Sequence, residues 1–168
     1  INAIAVDGGN RKWIGTQSSG ILLVSEDGME TIAHFTTDNS PILSNNIKCL
    51  AINSATGEVF IGTDKGLVSY MGDAVEGKDD YSEIRAFPNP VRPESDDRVT
   101  ITGLMERSNV KITDLNGHII YQGTSVGGQL TWNCRNRKGE RVASGIYLVL
   151  AATPDAGESV VTKIMIIK

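Results

Sequence analysis

The chain has 168 residues, 20 acidic against 16 basic side chains, a formal net charge of −4 and only 5% aromatic residues. A nucleic-acid protein would carry a Lys/Arg excess set in a stripe with stacking aromatics, so this balance argues against one. No stretch approaches the roughly 20 apolar residues of a membrane-spanning helix. Glycine and polar turn residues fall in short clusters between apolar runs rich in Ile, Val and Thr, the pattern of short strands joined by tight turns. The expected class is all-β, as one medium domain or two small ones.

The first strand-like run, Ile1-Asn2-Ala3-Ile4-Ala5-Val6-Asp7, returns as Ile47-Lys48-Cys49-Leu50-Ala51-Ile52-Asn53. Trp13-Ile14-Gly15-Thr16 returns as Phe60-Ile61-Gly62-Thr63, and Gly20-Ile21-Leu22-Leu23 as Gly66-Leu67-Val68-Ser69. A repeat must be found before any other feature is interpreted, because each unit is one supersecondary piece that cannot bury its apolar face alone. Each unit here reads as four short strands: one to about Val6, a turn through Asp7-Gly8-Gly9-Asn10, a second strand ending at Thr16, a third from Gly20 and a fourth around Thr31 to Phe35. Four strands make one propeller blade, so residues 1–71 are expected to be two blades of an incomplete propeller. The aromatic of the repeat is expected to pack between blades, and its glycine to permit close approach. The sequence opens on Ile1 inside a strand-like run, so we expect it to be part of something longer, and the lack of a signal peptide carries little weight.

The wording of the unit, Asn45-Asn46-Ile47, Leu50-Ala51-Ile52-Asn53 and Phe60 to Leu67, resembles the two-component regulator propeller repeat. The repeat motif residues are Trp13, Gly15 and Thr16 in the first unit and Phe60, Gly62 and Thr63 in the second. The resemblance implies a fold and leaves the function open, since one fold hosts many functions. Two blades do not close a ring, so an exposed strand edge and an apolar blade face are expected. Further blades, or self-association through the open edge, would cover them.

Residues 72–81 are polar and acidic without apolar periodicity and read as a linker. Beyond them, strand-like runs at 82–87, 98–102, 109–114, 118–122, 129–133, 145–152 and 159–167 are spaced by turn signals such as Asn116-Gly117 and Lys138-Gly139. About seven short antiparallel strands can cover each other's apolar faces in two sheets, so an immunoglobulin-like sandwich over 82–168 is expected.

Four ordered motifs in that half are Phe87-Pro88-Asn89-Pro90, Val110 to Gly117, Ser144 to Val149 and Lys163 to Lys168. Together they resemble the type A C-terminal sorting domain of type IX secretion. Its motif maps onto Pro88, Asn89, Pro90, Asp114, Gly117, Gly145, Tyr147, Lys163 and Lys168. The stretch from Trp132 to Tyr147 also resembles the immunoglobulin-like domain of flagellar hook-capping proteins, although Cys134 stands where that family commonly has Gly. Asn89-Pro90-Val91-Arg92-Pro93 and Gly103-Leu104-Met105 add a resemblance to a family of surface components of the type IX attachment complex. In that family propellers precede a retained sorting-type domain. The resemblance implies export to the surface or outer membrane of a Bacteroidetes-type bacterium, attachment-complex proteins as partners and a role with anionic lipopolysaccharide.

Nothing in the residues points to catalysis, a metal or a cofactor. His34 and His118 each sit on a strand-like run without a ligand spacing or a nucleophile motif. Asp79 and Asp80, and Asp96 and Asp97, adjoin in sequence and would point oppositely on an extended backbone, so neither pair makes an acid/base couple. Asp7-Gly8-Gly9-Asn10 lacks the further acidic positions of a calcium loop and is assigned to a turn. Cys49 and Cys134 read as unpaired structural thiols. One cluster remains, Arg135, Arg137, Lys138 and Arg141, placed on a hairpin. Guanidinium forks match phosphate and carboxylate geometry, so this loop is a candidate contact for anionic head groups or sugars, against the ordinary reading of a solvated polar hairpin.

The leading expectation is therefore a non-enzymatic surface component of type IX secretion, with the propeller as binding scaffold and the C-terminal domain for export and docking. The alternatives are a secreted cargo with a removable sorting tail and the ligand-sensing propeller of a regulatory receptor.

Overall fold

The structure, a computed structural model, describes residues 1–94, 98–153 and 156–167. Every regular element among them is a β-strand, and the chain divides into two compact units, Ile1–Glu76 and Gly77–Lys168. Among the described residues no helix is long and apolar enough to cross a membrane.

In the first unit, β1 (Ala3–Val6), β2 (Lys12–Gly15), β3 (Ile21–Val24) and β4 (Thr31–Phe35) form one antiparallel meander. A second is made by β5 (Ile47–Asn53), β6 (Glu58–Thr63) and β7 (Gly66–Met71). The repeated turn residues act alike in both. Thr16 Oγ1 donates to the Gly20 carbonyl and Thr63 Oγ1 to the Gly66 carbonyl, each at 2.9 Å, which closes the β2–β3 and β6–β7 turns. The same two hydroxyls accept backbone N–H groups from Ser19 and Lys65.

The core of this unit lies between the two meanders. Trp13, Ile21 and Leu23 from the first sheet and Ile47, Val59 and Ile61 from the second are buried together. Trp13 stacks on Phe35 with ring centroids 5.8 Å apart and meets Tyr70 at 5.7 Å. Gly15 permits the approach, since a Cβ there would stand 2.6 Å from Ile47 Cγ2.

The second meander has three strands where the repeat predicts four. After Met71 the residues offer no alternating apolar run, and the chain instead folds back on the β5–β6 turn. Gly72 N–H donates to the Gly57 carbonyl and Glu76 N–H to that of Ser54, both at 3.0 Å, while Ala74 and Val75 are buried. Part of the polar stretch 72–81 is thus packed structure rather than open chain.

The second unit is the expected all-β sandwich. Its strands are β8 (Arg85–Phe87), β9 (Val99–Thr102), β10 (Asn109–Thr113), β11 (Ile119–Thr124), β12 (Gln129–Trp132), β13 (Gly145–Thr153) and β14 (Ala156–Ile166). They form an antiparallel sheet in the order β11-β10-β13-β14 and another in the order β12-β9-β8. Alternate residues face inward: Val99 and Ile101 on β9, Leu130 and Trp132 on β12, Val110 and Ile112 on β10, Val149 and Ala151 on β13. Each fully buried aliphatic side chain of this kind contributes about 1.5–3 kcal/mol of transfer free energy, which is why strict alternation fixes the pairing register.

Candidate functional site

The Pro88-Asn89-Pro90 motif does more than bend the chain. Both Phe87-Pro88 and Asn89-Pro90 peptide bonds are cis. The Asn89 carboxamide takes the place of a strand residue on the outer edge of β14: Nδ2 donates to the Lys163 carbonyl at 2.8 Å, and Oδ1 accepts the Met165 N–H at 3.0 Å. Val91, fully buried, continues the pairing, donating its N–H to Met165 and accepting that of Ile167, each at 2.8 Å. An edge strand left bare is a template for unwanted pairing, and residues 89–91 cover this part of it. Asn89→Ala is expected to destabilise the unit by about 1–2 kcal/mol, two exposed hydrogen bonds' worth. Urea unfolding and faster amide exchange at Met165 would register it; unchanged exchange there would refute the role.

Asp114 organises the β10–β11 turn. Its Oδ1 accepts the N–H groups of Asn116 and His118, each at 2.9 Å, and its Oδ2 lies 2.9 Å from His118 Nδ1. Gly117, at φ 85°, supplies the left-handed turn position that a side chain would strain. The hydrogen bond from the His118 ring, followed by that from the His118 backbone, holds the Asp114 carboxyl below the usual carboxylate range. A depressed native pKa means its contribution is present above the unfolded value and is lost as pH falls through the native one. Carboxyl NMR titration is expected to show a midpoint below that of a free Asp, moving up in His118→Ala.

Trp132, Tyr147 and the basic hairpin form one assembly. Tyr147 meets Trp132 edge-on at 5.8 Å and donates its hydroxyl to the Ala143 carbonyl at 2.9 Å. Burial, then the charges of Asp114 and Cys134, push the Tyr147 phenol up, so it stays protonated as that donor. The Trp132 indole donates to the Arg135 carbonyl at 2.9 Å, pinning the first residue of the hairpin. The hairpin is closed by a backbone bridge between Arg135 and Arg141. Asn136 holds its tip, accepting N–H groups from Lys138 and Glu140 and donating to Glu140 Oε2.

The structure therefore places Arg135, Arg137, Lys138 and Arg141 on one hairpin, but not as four equal charges. Arg135 Nη1 is turned onto the Gly139 carbonyl at 2.8 Å and Arg141 is half-buried. Arg137 is exposed, with Nη2 3.5 Å from Gln122 Oε1, and Lys138 is exposed. Gly145 begins β13, and Lys163 is an exposed residue of β14 whose backbone carbonyl serves Asn89. Lys168, Asp96 and Asp97 lie outside the described residues.

His34 Nε2 contacts the Ser19 carbonyl, and Asp80 accepts the Ser82 N–H. Asp79 is exposed. Among the described residues no group of three His, Cys, Asp or Glu is arranged to hold a metal ion. Both cysteines are free, Cys49 exposed and Cys134 buried.

The reading of the sequence missed Arg11, whose side chain is nearly buried between Asp7 and Asp73. Burial would lower its pKa, but the hydrogen bonds it donates to Asp73 and Asp7 outweigh that and raise it. The signal in sequence was only an Asp four residues before an Arg; Asp73 is far away along the chain.

The chain matches the model of the secretion system C-terminal sorting domain over residues 85–168. Among solved structures it is similar to PorZ of Porphyromonas gingivalis, described as an essential bacterial surface component of the type-IX secretion system. The alignment has 41% identity and a TM-score of 0.66 over 98% of this chain and 22% of that one. Dimeric latent PorU of the same bacterium aligns at 17% identity over 70% of this chain and 13% of its own, with a TM-score of 0.39. The extracellular domain of a hybrid two component system of B. thetaiotaomicron aligns at 12% identity over 98% and 37%, with a TM-score of 0.32. No curated protein matches. The chain spans 22% of the length of PorZ, and both of its units fall within that alignment. With half of its residues matched by the family model, the chain belongs to the secretion system C-terminal sorting domain family.

Proposed function

We propose that this chain is part of a non-enzymatic, PorZ-like component of the type IX secretion and attachment machinery, exported to the cell surface of a Bacteroidetes-type bacterium. One observation carries the reading. The 41% identity to PorZ runs over 98% of the chain, through the two meanders as well as the sandwich. A cargo protein would share the sorting domain and diverge before it. In this reading residues 1–71 are two blades of a propeller serving as a binding scaffold, residues 72–81 join them to the tail, and residues 82–168 direct export and docking to attachment-complex proteins. The self-association expected of an unclosed propeller belongs to the same reading.

The test is the fate of the tail. Surface protein from cells producing the chain within its native protein is expected to retain residues 82–168 by mass spectrometry, and deletion of those residues should abolish surface display. A mature surface form cut within residues 77–86 would favour the cargo reading instead.

The basic hairpin is the proposed contact for anionic lipopolysaccharide, supported by two exposed cations, Arg137 and Lys138, on a tip held rigid by Asn136. Replacing Arg135, Arg137, Lys138 and Arg141 together by Ala is expected to weaken lipopolysaccharide binding and its salt dependence. An unchanged affinity would sink the idea.

A further inference from the structure

The polar stretch 72–81, with no apolar periodicity in sequence, is where a linker open to proteolysis is expected. Whether a protease can enter depends on the burial and hydrogen bonding of the backbone, not on composition. In the first unit that backbone is tied down. Gly72 and Glu76 donate their N–H groups to the β5–β6 turn, Asp73 Oδ1 accepts from Arg11 Nη2 at 2.6 Å, and Ala74 and Val75 are buried. Gly8 admits the Val75 backbone, since a Cβ there would collide with the Val75 carbonyl.

The next residue already belongs to the second unit, which begins at Gly77. A Cβ at Gly77 would stand 2.8 Å from the Glu106 nitrogen, and the Lys78 N–H donates to the Leu104 carbonyl at 2.9 Å. Lys78 Nζ pairs with Glu83 Oε2 at 3.2 Å, Asp80 accepts the Ser82 N–H at 2.8 Å, and Arg85 starts β8. Between them Tyr81 lays its ring on the sandwich core, and its hydroxyl lies 2.9 Å from Ser108 Oγ. Ser108 is fully buried and gives its own hydroxyl hydrogen to the Met105 carbonyl at 2.7 Å, so Tyr81 is the donor. A polar, acidic run is thus anchored on the sandwich by an aromatic ring and a bond to a buried hydroxyl.

We propose that residues 72–84 are a joint closed to endoproteases and that Tyr81 is the latch that keeps it closed. The tail is then not removable from the native chain until the flank 77–84 leaves the sandwich. An endoprotease must draw an extended stretch of backbone into its own site, and here that stretch breaks bonds to one unit or the other. Cleavage therefore follows the local opening of the flank. The inference deepens the surface-component reading, in which the tail is retained, by giving retention a cause in the fold.

Native digestion of the purified 168-residue chain with subtilisin, with the cut sites identified by mass spectrometry, tests this. The wild type is expected to resist within 72–84, whereas a chain with a Gly/Ser run inserted between Glu76 and Gly77 should be cut there first. Tyr81→Phe keeps the ring and loses the bond to Ser108. Cleavage within 77–84 should then rise roughly two- to tenfold, the population change that one hydrogen bond controls. Tyr81→Ala should raise it further, and amide exchange over β10 and β13 checks that the sandwich still folds. A wild type cut within 72–84 as fast as the insertion chain would overturn the closed joint. A Tyr81→Phe rate equal to wild type, or a rise shared by every cut site, would overturn the latch. None of these readouts involves export, so the surface-component reading can fail on cells while the joint stands.

Discussion

Asp7→Ala is expected to lower the stability of the first unit by about 3–5 kcal/mol, the range for removing one partner of a buried ion pair. The Asp7 carboxylate accepts from Gly9 N–H at 3.0 Å, Arg11 N–H at 3.1 Å, Arg11 Nε at 2.9 Å and the Trp13 indole at 3.1 Å. It is also paired with Arg11 Nη2 at 2.8 Å. Alanine would leave a nearly buried guanidinium and a buried indole N–H with fewer partners, and both costs are desolvation costs that the native carboxylate offsets. Asp73, the other partner, has a side chain 66% exposed, so Asp73→Ala should cost no more than about 1 kcal/mol. Asp7→Asn should fall between, since it keeps the turn but loses the charge. Amide exchange resolved over β1–β7 and β8–β14 measures this: protection should fall in the first group alone. A loss under about 1 kcal/mol for Asp7→Ala would refute the ion pair's role, and a loss in Asp7→Asn much smaller than in Asp7→Ala would assign the effect to the turn instead.

Trp132→Ala should cost the sandwich about 3–5 kcal/mol, the usual range for truncating a buried aromatic. Trp132 is fully buried and lies 5.8 Å from Tyr147 and 6.4 Å from Tyr121, so its removal opens a cavity between the two sheets. A second effect separates from the first. Trp132→Phe keeps most of the packing but has no N–H for the Arg135 carbonyl, so it should cost less than the alanine variant while freeing the hairpin. Urea unfolding gives the two stabilities. Faster amide exchange around Asn136 and Gly139 in Trp132→Phe, with little change at Val149, is the result expected if the indole pins the hairpin. Uniformly faster exchange would show that Trp132 acts through packing alone.

The all-β class and the strands of the sandwich were legible because alternation is a local property. Val99 to Thr102 and Gln129 to Trp132 announce an inward and an outward side wherever they pair. The turn chemistry of Thr16 and Thr63, and the left-handed position of Gly117, act over a few residues and are read from a few residues. Arg11 was not legible, because its second partner, Asp73, lies 62 residues along the chain. Asn89 was legible as a turn residue and not as a strand surrogate, because its partners at Lys163 and Met165 are 74 and 76 residues away. The missing fourth strand of the second meander and the burial of Ala74 and Val75 depended on where the β5–β6 turn stood in space.

The repeat itself was a fact of sequence: two units, each with two apolar faces and a glycine beside an aromatic. Sequence alone determined that these faces existed and that they recurred in step. Only the tertiary structure decided which face of each sheet was buried and which was left open, because periodicity distinguishes two sides without saying what lies against either. Packing chose the Trp13 side of one unit against the Ile61 side of the next, and that choice gave the repeat its direction.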